Sequence, residues 1–208
     1  MIDLIYFNEK AFPDLKELID LEKRIGNKGV ILAKKFSSEK EAKELKEKTE
    51  KTIKELKIKG FDLKLAHLIT KTDAKETRKF KGKIDLIAVE GGDVTINKFA
   101  VSTAGINLLL NPYKEGKLSF DTAIARISSE NKVAVGITFS HFLQSRGFNR
   151  INSFKNYSFI VKLIQKFKIP VNVFSGATEL NEIRSIKDLN AFLVLLGYSR
   201  EKLKSDLE

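Results

Sequence analysis

Short apolar runs, each followed by a longer polar segment, recur along the whole chain and limit the folds that it can adopt. The runs are rich in Ile, Leu and Val and cover residues 2–7, 30–33, 61–69, 84–89, 106–110, 133–138 and 171–174. Runs of this length are typical of buried strands, and the segments between them have helical spacing and capping residues. Alternating strands and helices predict parallel pairing, so the sequence indicates an α/β fold with about seven parallel strands.

The segment after the second run is the clearest helix. Ser38 and Glu41 have the spacing of a capping box, in which the serine hydroxyl caps backbone amides and the glutamate reaches back to the helix start. Ala42, Leu45 and Thr49 fall on one face, while glutamates and lysines alternate over the other. Because these charges nearly balance, we expect a solvated surface there rather than a nucleic-acid site.

Two architectures fit this pattern, an incomplete (β/α) barrel and an open doubly wound sheet. Both place the functional loops after the carboxyl ends of the strands. A chain of 208 residues with 42% hydrophobic residues can close one core, and no linker interrupts the series. We therefore expect a single domain over residues 1–208, with 199–208 as a polar C-terminal helix or tail.

The charge balance favours a polyanionic partner. The chain has 38 Lys and Arg against 27 Asp and Glu, a net charge of +11, which points to nucleic acid first. A Lys-rich surface of the kind common in thermophile proteins gives the same composition, so charge alone leaves both interpretations open.

Several classes of site and location are disfavoured by what the sequence lacks. It has no Cys and only two histidines, His67 and His141, so disulfides, thiolate metal sites, His-x-His and HExxH motifs cannot form. No P-loop, GxGxxG or GxSxG motif occurs. We expect His67, inside a predicted strand, to be packed in the core. Without a signal peptide or an apolar run of about 18 residues, we expect a soluble, cytoplasmic protein with no membrane contact.

Basic residues cluster after several predicted strands, where they are expected to converge on one face and contact phosphates. Lys34 and Lys35 follow the second run, and Lys71 and Arg78 lie in the connection after the third. The segment 141–155 mixes cations with aromatic and amide side chains, as RNA-contacting loops do. The candidates for RNA contact in that segment are His141, Arg146, Arg150 and Lys155.

An enzyme on the same scaffold is the competing interpretation. The turn Glu90-Gly91-Gly92-Asp93 could hold a cation or a phosphate, although Asp93 also suits the N-cap of the next helix. Together with Asp121 and His141, these carboxylates are the residues that a metal-dependent or acid–base reaction would need.

The closing stretch SGATELNEIRSIKDLNAFLVLLGYS, residues 175–199, resembles the archaeal ribonuclease P protein component 3 family. Segments 97–101, 106–112 and 121–138 also resemble family positions, whereas the first eighty residues match by pattern alone. The resemblance implies a TIM-barrel-like (β/α) barrel related to the polymerase and histidinol phosphatase superfamily. Enzymes of that superfamily have a His-x-His metal motif on the first strand, and here that position is Asp3-Leu4-Ile5.

The resemblance also implies a function. The RNA of ribonuclease P would carry the catalytic centre that removes the 5′ leader of precursor tRNA, with Mg²⁺ expected for that RNA-based holoenzyme. This chain would bind and stabilise the RNA, with no catalytic residue, metal or cofactor of its own. Its partners would be the ribonuclease P RNA, protein component 2 in a two-plus-two heterotetramer, the other ribonuclease P proteins and, indirectly, precursor tRNA. The alternative is a metal-dependent phosphoesterase of the polymerase and histidinol phosphatase type.

Three further RNA-binding candidates come from the family-like segments. They are Lys98, Ser175 and Arg184. Lys98 stands where the family motif is expected to have Arg, a change that keeps the charge but loses bidentate phosphate geometry.

Overall fold

Seven strands alternate with helices in the computed structural model, which describes residues 2–114 and 118–205. The strands are β1 (Asp3–Tyr6), β2 (Gly29–Lys34), β3 (Asp62–Ile69), β4 (Leu86–Glu90), β5 (Leu108–Leu110), β6 (Ala134–Thr138) and β7 (Val171–Phe174). The helices are α1 (Leu15–Arg24), α2 (Glu39–Glu55), α3 (Ala74–Phe80), α4 (Val94–Ser102), α5 (Thr122–Glu130), α6 (Phe139–Gln144), α7 (Gly147–Phe167), α8 (Ile186–Leu195) and α9 (Arg200–Ser205). All seven predicted strands are confirmed. Helix α9 lies in the segment for which a polar helix or tail is predicted, and 206–208 lie outside the described residues.

The strands form a barrel rather than an open sheet. They pair in parallel in the order β1 to β7, and the ring closes where Ala177, just past β7, pairs with Ile5. The Tyr6 N–H donates to the Ala177 carbonyl over 3.0 Å, and the Gly176 N–H donates to the Leu4 carbonyl over 2.9 Å. Gly176 has a φ of 57°, and a Cβ there would collide with Thr138, so glycine suits this closing segment.

The barrel interior and the helix layer are two separate apolar regions. Small and large side chains fill the inside of the barrel, namely Leu4, Ile31, Ala33, Ala66, Ala88, Leu108, Leu110 and Phe174. The larger core lies between the outer faces of the strands and the helices, and it includes residues from Ile5 to Tyr198. Strands buried on both faces are the reason that the sequence shows continuous apolar runs.

The start of α2 differs in one detail from the predicted capping box. The Ser38 hydroxyl accepts from the Glu41 N–H over 3.2 Å, as expected. The Glu41 carboxylate, however, accepts from the N–H and hydroxyl of Ser37 instead of from the Ser38 N–H. It also pairs with Lys34 at 2.7 Å, and the bonds from Lys34 and Ser37 lower the pKa of Glu41 to about 2.

His67 is a core residue, as predicted. It is fully buried, and its ring stacks on Phe80 with 3.8 Å between centroids. Its Nδ1 accepts from the Phe36 N–H over 3.2 Å, so Nε2 carries the proton that is donated to Glu76 over 3.0 Å. Burial lowers the pKa of His67, which keeps the imidazole neutral.

Two carboxyl groups are buried between β1 and α1. Asp3 and Glu22 are both fully buried, and Glu22 accepts a hydrogen bond from the side-chain amide of Asn27. Its second oxygen, Oε1, has no hydrogen-bond partner among the described residues. Burial, with the charge of Asp3 as a second cause, raises the pKa of Glu22 to about 8, and burial raises that of Asp3 to about 6.

Replacing Glu22 with glutamine is expected to stabilise the protein more at pH 8 than at pH 5. A raised carboxyl pKa means that the folded state keeps a proton that the unfolded state has lost. The contribution of Glu22 to wild-type stability therefore falls as the pH rises from 4.5, the ordinary glutamate pKa, to about 8. Glu22→Gln removes this loss, so its free energy of unfolding should exceed that of wild type by roughly 1–3 kcal/mol at pH 8. Urea unfolding across this pH range measures the difference.

The matched control for this prediction is Glu17→Gln, which changes an exposed glutamate on the same helix. It should leave the pH dependence of stability as in wild type. A stability difference between Glu22→Gln and wild type that does not change with pH would show that Glu22 ionises normally in the folded state.

No described helix combines the length and the apolar composition that crossing a bilayer requires.

Candidate nucleic-acid interface

A hydrogen-bonded cluster occupies the C-terminal mouth of the barrel, where the strands of a (β/α) barrel usually present an active site. The Tyr6 hydroxyl donates to Glu90 over 2.6 Å, and the Asn111 amide donates to Glu90 over 2.8 Å and to the Tyr6 oxygen over 3.1 Å. The Asn111 carbonyl accepts from both the N–H and the hydroxyl of Thr138 at 3.0 Å. These four residues, the mouth cluster, link the ends of β1, β4, β5 and β6.

The carboxyl group of the mouth cluster is held in this network. Burial raises the pKa of Glu90, while the hydrogen bonds from Tyr6 and Asn111 and the charge of Lys114 act in the opposite direction. Burial and the neighbouring Glu90 raise the pKa of Tyr6 well above its ordinary value. Each polar group therefore has a partner inside the cluster, and the arrangement stabilises the mouth of the barrel.

The other residues of the enzyme alternative do not converge with Glu90. Asp93 caps α4 through the Thr95 and Ile96 amides, and Asp121 caps α5 through the Ile124 amide. Within residues 2–114 and 118–205, no group of three or more His, Asp or Glu side chains is placed to hold a metal ion. The two aspartates thus act as helix caps, which was the other prediction for Asp93.

Ser175, predicted to contact RNA, is instead an interior residue. It is fully buried, its hydroxyl donates to the Asp3 carboxylate, and its N–H donates to the same carboxylate over 2.7 Å. Asp3 thereby joins β1 to the residue after β7. Ser175 is therefore inaccessible to RNA, and we remove it from the interface.

The cations after β2 are compensated by carboxylates. Lys34 has a side chain that is only 26% exposed and pairs with Glu41 at 2.7 Å and with Glu9 at 3.7 Å. Lys35 pairs with Glu76 at 3.8 Å. Lysines that already have anionic partners gain less from a phosphate, because the existing pair must first be broken.

The other predicted cations near β3 and on α3 and α4 are exposed to solvent. Lys71, just after β3, and Arg78, in the last turn of α3, are both exposed. Lys98 is exposed on α4, next to Asn97, whose buried amide donates to the carbonyls of Pro112 and Ser119. Asn97, which has no predicted role, thus anchors the segment after β5, while Lys98 stays available for contact.

Arg184 is mainly a structural residue. Its guanidinium donates to the Asn181 carbonyl over 2.7 Å and to the Ile183 carbonyl over 2.9 Å, and lies 5.9 Å from the centre of the Phe139 ring. Its own carbonyl accepts from Asn27 over 3.3 Å. These contacts fix the segment before α8, so RNA contact by Arg184 stays a prediction with less support than sequence alone indicated.

The cations after β6 lie on α6 and α7. His141 is half-buried, with its ring against Phe142 and Tyr157. Arg146, the residue before α7, is exposed, and so is Lys155 in its third turn. The exposed Arg150 folds back, donating through Nε to the Ser145 carbonyl over 2.8 Å and through an Nη atom to the Leu143 carbonyl over 3.3 Å.

Most of the predicted cations belong to two sectors of the barrel. Lys34, Lys35, Lys71 and Arg78 belong to the β2–β3 sector, and the α6–α7 candidates belong to the β6–β7 sector. Strands β3 and β6 are not neighbours in the ring, so other strands separate the two sectors. Both sectors follow the carboxyl ends of strands, which lie at one end of the barrel, so convergence of these cations on one face stays a prediction.

The β6–β7 sector lies in a long stretch of sequence without acidic residues, a signal that no single motif contains. No Asp or Glu occurs between Glu130 and Glu179. This acid-free segment, residues 131–178, contains the cations Lys132, Arg146, Arg150, Lys155, Lys162, Lys166 and Lys168. A search for long stretches without acidic residues would have identified Lys162 and Lys166 from sequence.

The family model described as RNase P subunit p30 matches residues 2–208. The chain belongs to this family. Among its p30-family relatives, ribonuclease P protein component 3 of Methanococcoides burtonii is 26% identical over 191 residues, which cover 90% of this chain and 75% of the relative. The protein of the same name from Methanococcus maripaludis is 32% identical over 120 residues, covering 57% of this chain and 52% of the relative. That alignment thus spans about half of the Methanococcus protein.

A solved structure has the same fold. A chain in the cryo-EM structure of archaeal ribonuclease P with mature tRNA superposes with a TM-score of 0.78 and 24% identity, covering 95% of this chain and 83% of that chain. As a p30-family member the chain is a ribonuclease P subunit. The alternative of a metal-dependent phosphoesterase is not favoured. In agreement with this, Asp93 and Asp121 cap helices, and Glu90 is hydrogen-bonded within the mouth cluster.

Proposed function

We propose that this subunit binds the RNA of ribonuclease P and holds it in the form that removes the 5′ leader of precursor tRNA. The observation that carries the proposal is the acid-free segment of a p30-family member, in which Lys155, Lys162 and Lys166 are exposed on α7 and Arg146 is exposed just before it. Cations that lack local anionic partners attract phosphates, and each phosphate contact releases condensed counterions.

The charges of α2 provide the contrast within the same chain. On α2, Lys40 pairs with Glu44, Lys43 pairs with Glu39, and Lys46 pairs with Asp85 at 2.9 Å. Such interleaved charges are what a thermophile surface shows, and they leave little net field. Of these two helices, α2 has balanced charge, whereas α7 has the one-signed charge that suits RNA.

Chemistry in the proposed complex belongs to the RNA. The chain would contribute no catalytic group, and the Mg²⁺ expected for cleavage would be held by RNA phosphates. In support, the candidate cation-binding carboxylates already have other roles. Glu90 accepts hydrogen bonds from Tyr6 and Asn111, whereas Asp93 and Asp121 cap helices.

The proposal extends to partners and location. The curated relatives are named protein component 3, and the matching chain lies in an archaeal ribonuclease P complex with tRNA. We include the ribonuclease P RNA, component 2 in a two-plus-two assembly and the other ribonuclease P proteins as partners, with precursor tRNA contacted through the RNA. A cytoplasmic location fits a chain without cysteine, because disulfides are common in secreted proteins.

The test is the affinity of the full chain for ribonuclease P RNA over a series of salt concentrations. We expect log affinity to fall linearly with log salt, with a slope of about −3 to −5, as several phosphate contacts require. Filter binding or fluorescence anisotropy gives the slope. Affinity that does not change with salt, or no binding at low salt, would contradict the proposal.

A further inference from the structure

Large apolar side chains and lysines share the exposed face of α7. Phe148 is 73% exposed, Ile151 is 53% exposed and Phe159 is 42% exposed. Lys155, Lys162 and Lys166 are exposed as well. With 3.6 residues per turn, positions 148, 151, 155, 159, 162 and 166 follow one another along a single side of the helix. We name this side the α7 face; it extends for about 27 Å.

The opposite side of α7 explains why these residues point outward. Ser153, Tyr157, Ile160, Val161 and Ile164 are fully buried against the barrel layer. The core contacts of α7 are therefore complete without the α7 face. Exposed phenylalanines on an already packed helix indicate a surface with a binding role.

The lysines of the α7 face are available to a ligand. None of Lys155, Lys162 and Lys166 forms an ion pair with a carboxylate in the part of the chain that the structure describes. Lys166 lies 5.6 Å from the ring centre of Phe167. No acidic residue occurs within the helix or within ten residues of either end. The α7 face is thus both apolar and of one charge.

This combination fits RNA better than a protein partner. The buried centres of protein interfaces are depleted of lysine, because a lysine there must lose its hydration. On the α7 face the lysines alternate with the apolar residues along the helix. The face therefore has no purely apolar centre like that of a protein interface. Alternating aromatic rings and cations are typical of surfaces on which bases stack while phosphates contact the cations.

The RNA that fits the α7 face is unpaired. The major groove of an A-form duplex is too narrow for a helix, and its stacked bases offer no free ring surface to a phenylalanine. An unpaired strand presents base faces and phosphates together. Building on the proposed function, we infer that the α7 face binds an unpaired segment of RNA, with Phe148 and Phe159 stacking on bases and the three lysines contacting phosphates.

The experiment compares two substitutions at Phe148 in the full chain. Phe148→Tyr keeps an aromatic ring, whereas Phe148→Leu keeps apolar volume without a ring. The probes are a fluorescent, unstructured RNA oligonucleotide of about 12 nucleotides, within the range that single-strand-binding surfaces cover, and a duplex RNA of the same length. We expect Phe148→Leu to weaken binding of the oligonucleotide roughly fivefold or more, and Phe148→Tyr to stay within about twofold of wild type.

The controls separate stacking from other effects. Binding of the duplex should be unchanged in both variants. Leu195→Ala, which changes a side chain that is 65% exposed on α8, should bind the oligonucleotide as wild type does. Thermal unfolding of each variant verifies the fold, which exposed substitutions leave intact.

Two outcomes overturn the inference. One is that Phe148→Leu binds the oligonucleotide as tightly as wild type. The other is that Phe148→Leu affects only co-purification with the other ribonuclease P proteins, which would make the α7 face a protein interface. In both cases the proposed function survives if affinity for ribonuclease P RNA still depends on salt, and it fails if that affinity is absent or does not change with salt.

Discussion

Replacing Arg146, Lys155 and Lys162 together with glutamine is expected to weaken binding to ribonuclease P RNA by roughly 30-fold near 0.1 M salt. All three side chains are exposed, so the substitutions remove charge without disturbing the core. Each lost phosphate contact should also reduce the slope of log affinity against log salt by about 1. Salt titrations of wild type and of the triple variant measure both quantities.

The matched control moves the same charge change to another helix. Lys40, Lys43 and Lys48 are exposed on α2, and their replacement with glutamine also removes three positive charges. We expect this variant to bind within about threefold of wild type, because long-range attraction is largely screened at this salt concentration. Equal losses in the two triple variants would mean that net charge, and not the position of the cations in the acid-free segment, determines affinity.

Replacing Asn111 with alanine is expected to lower the free energy of unfolding by about 3–4 kcal/mol. The side chain makes hydrogen bonds to Tyr6, Glu90 and Thr138. Its loss leaves the N–H and hydroxyl of Thr138 without their acceptor and removes one of the two hydrogen bonds to Glu90. Asn111 also has a φ of 45°, which asparagine tolerates better than alanine does. Urea denaturation monitored by circular dichroism gives the difference from wild type.

Glycine at the same position separates these two causes. Asn111→Gly relieves the backbone but still removes every hydrogen bond of the side chain, so we expect it to recover only about 1 kcal/mol relative to alanine. If Asn111→Gly were as stable as wild type, backbone conformation and not the mouth cluster would account for the role of Asn111.

The strands could be predicted because the barrel buries both of their faces. The apolar run 2–7 corresponds to β1 (Asp3–Tyr6), and the run 106–110 corresponds to β5 (Leu108–Leu110). Prediction and structure therefore differ only at the ends of the strands. Closure into a barrel could not be predicted from periodicity. It depends on the pairing of Ile5 with Ala177, two residues far apart in sequence and without a local signal.

The site was harder to predict because the partner of a charged residue can lie on another element. Lys34 ends β2 and lacks an adjacent acid in sequence, yet its partners Glu9 and Glu41 come from the loop after β1 and from α2. Ser175 bonds to Asp3 across the barrel closure. The cations of α7 differ because the acid-free segment provides no local partner for them.

The most direct measurement of the central claim is precursor-tRNA cleavage by ribonuclease P reconstituted from its RNA and purified proteins. We expect omission of this chain to lower the cleavage rate at limiting protein concentration, and the Arg146, Lys155 and Lys162 triple variant to reproduce most of that loss. The α2 control variant should support cleavage at the wild-type rate. Cleavage that proceeds equally well without the chain, or full activity of the triple variant, would contradict RNA binding through α7 as the function of this protein.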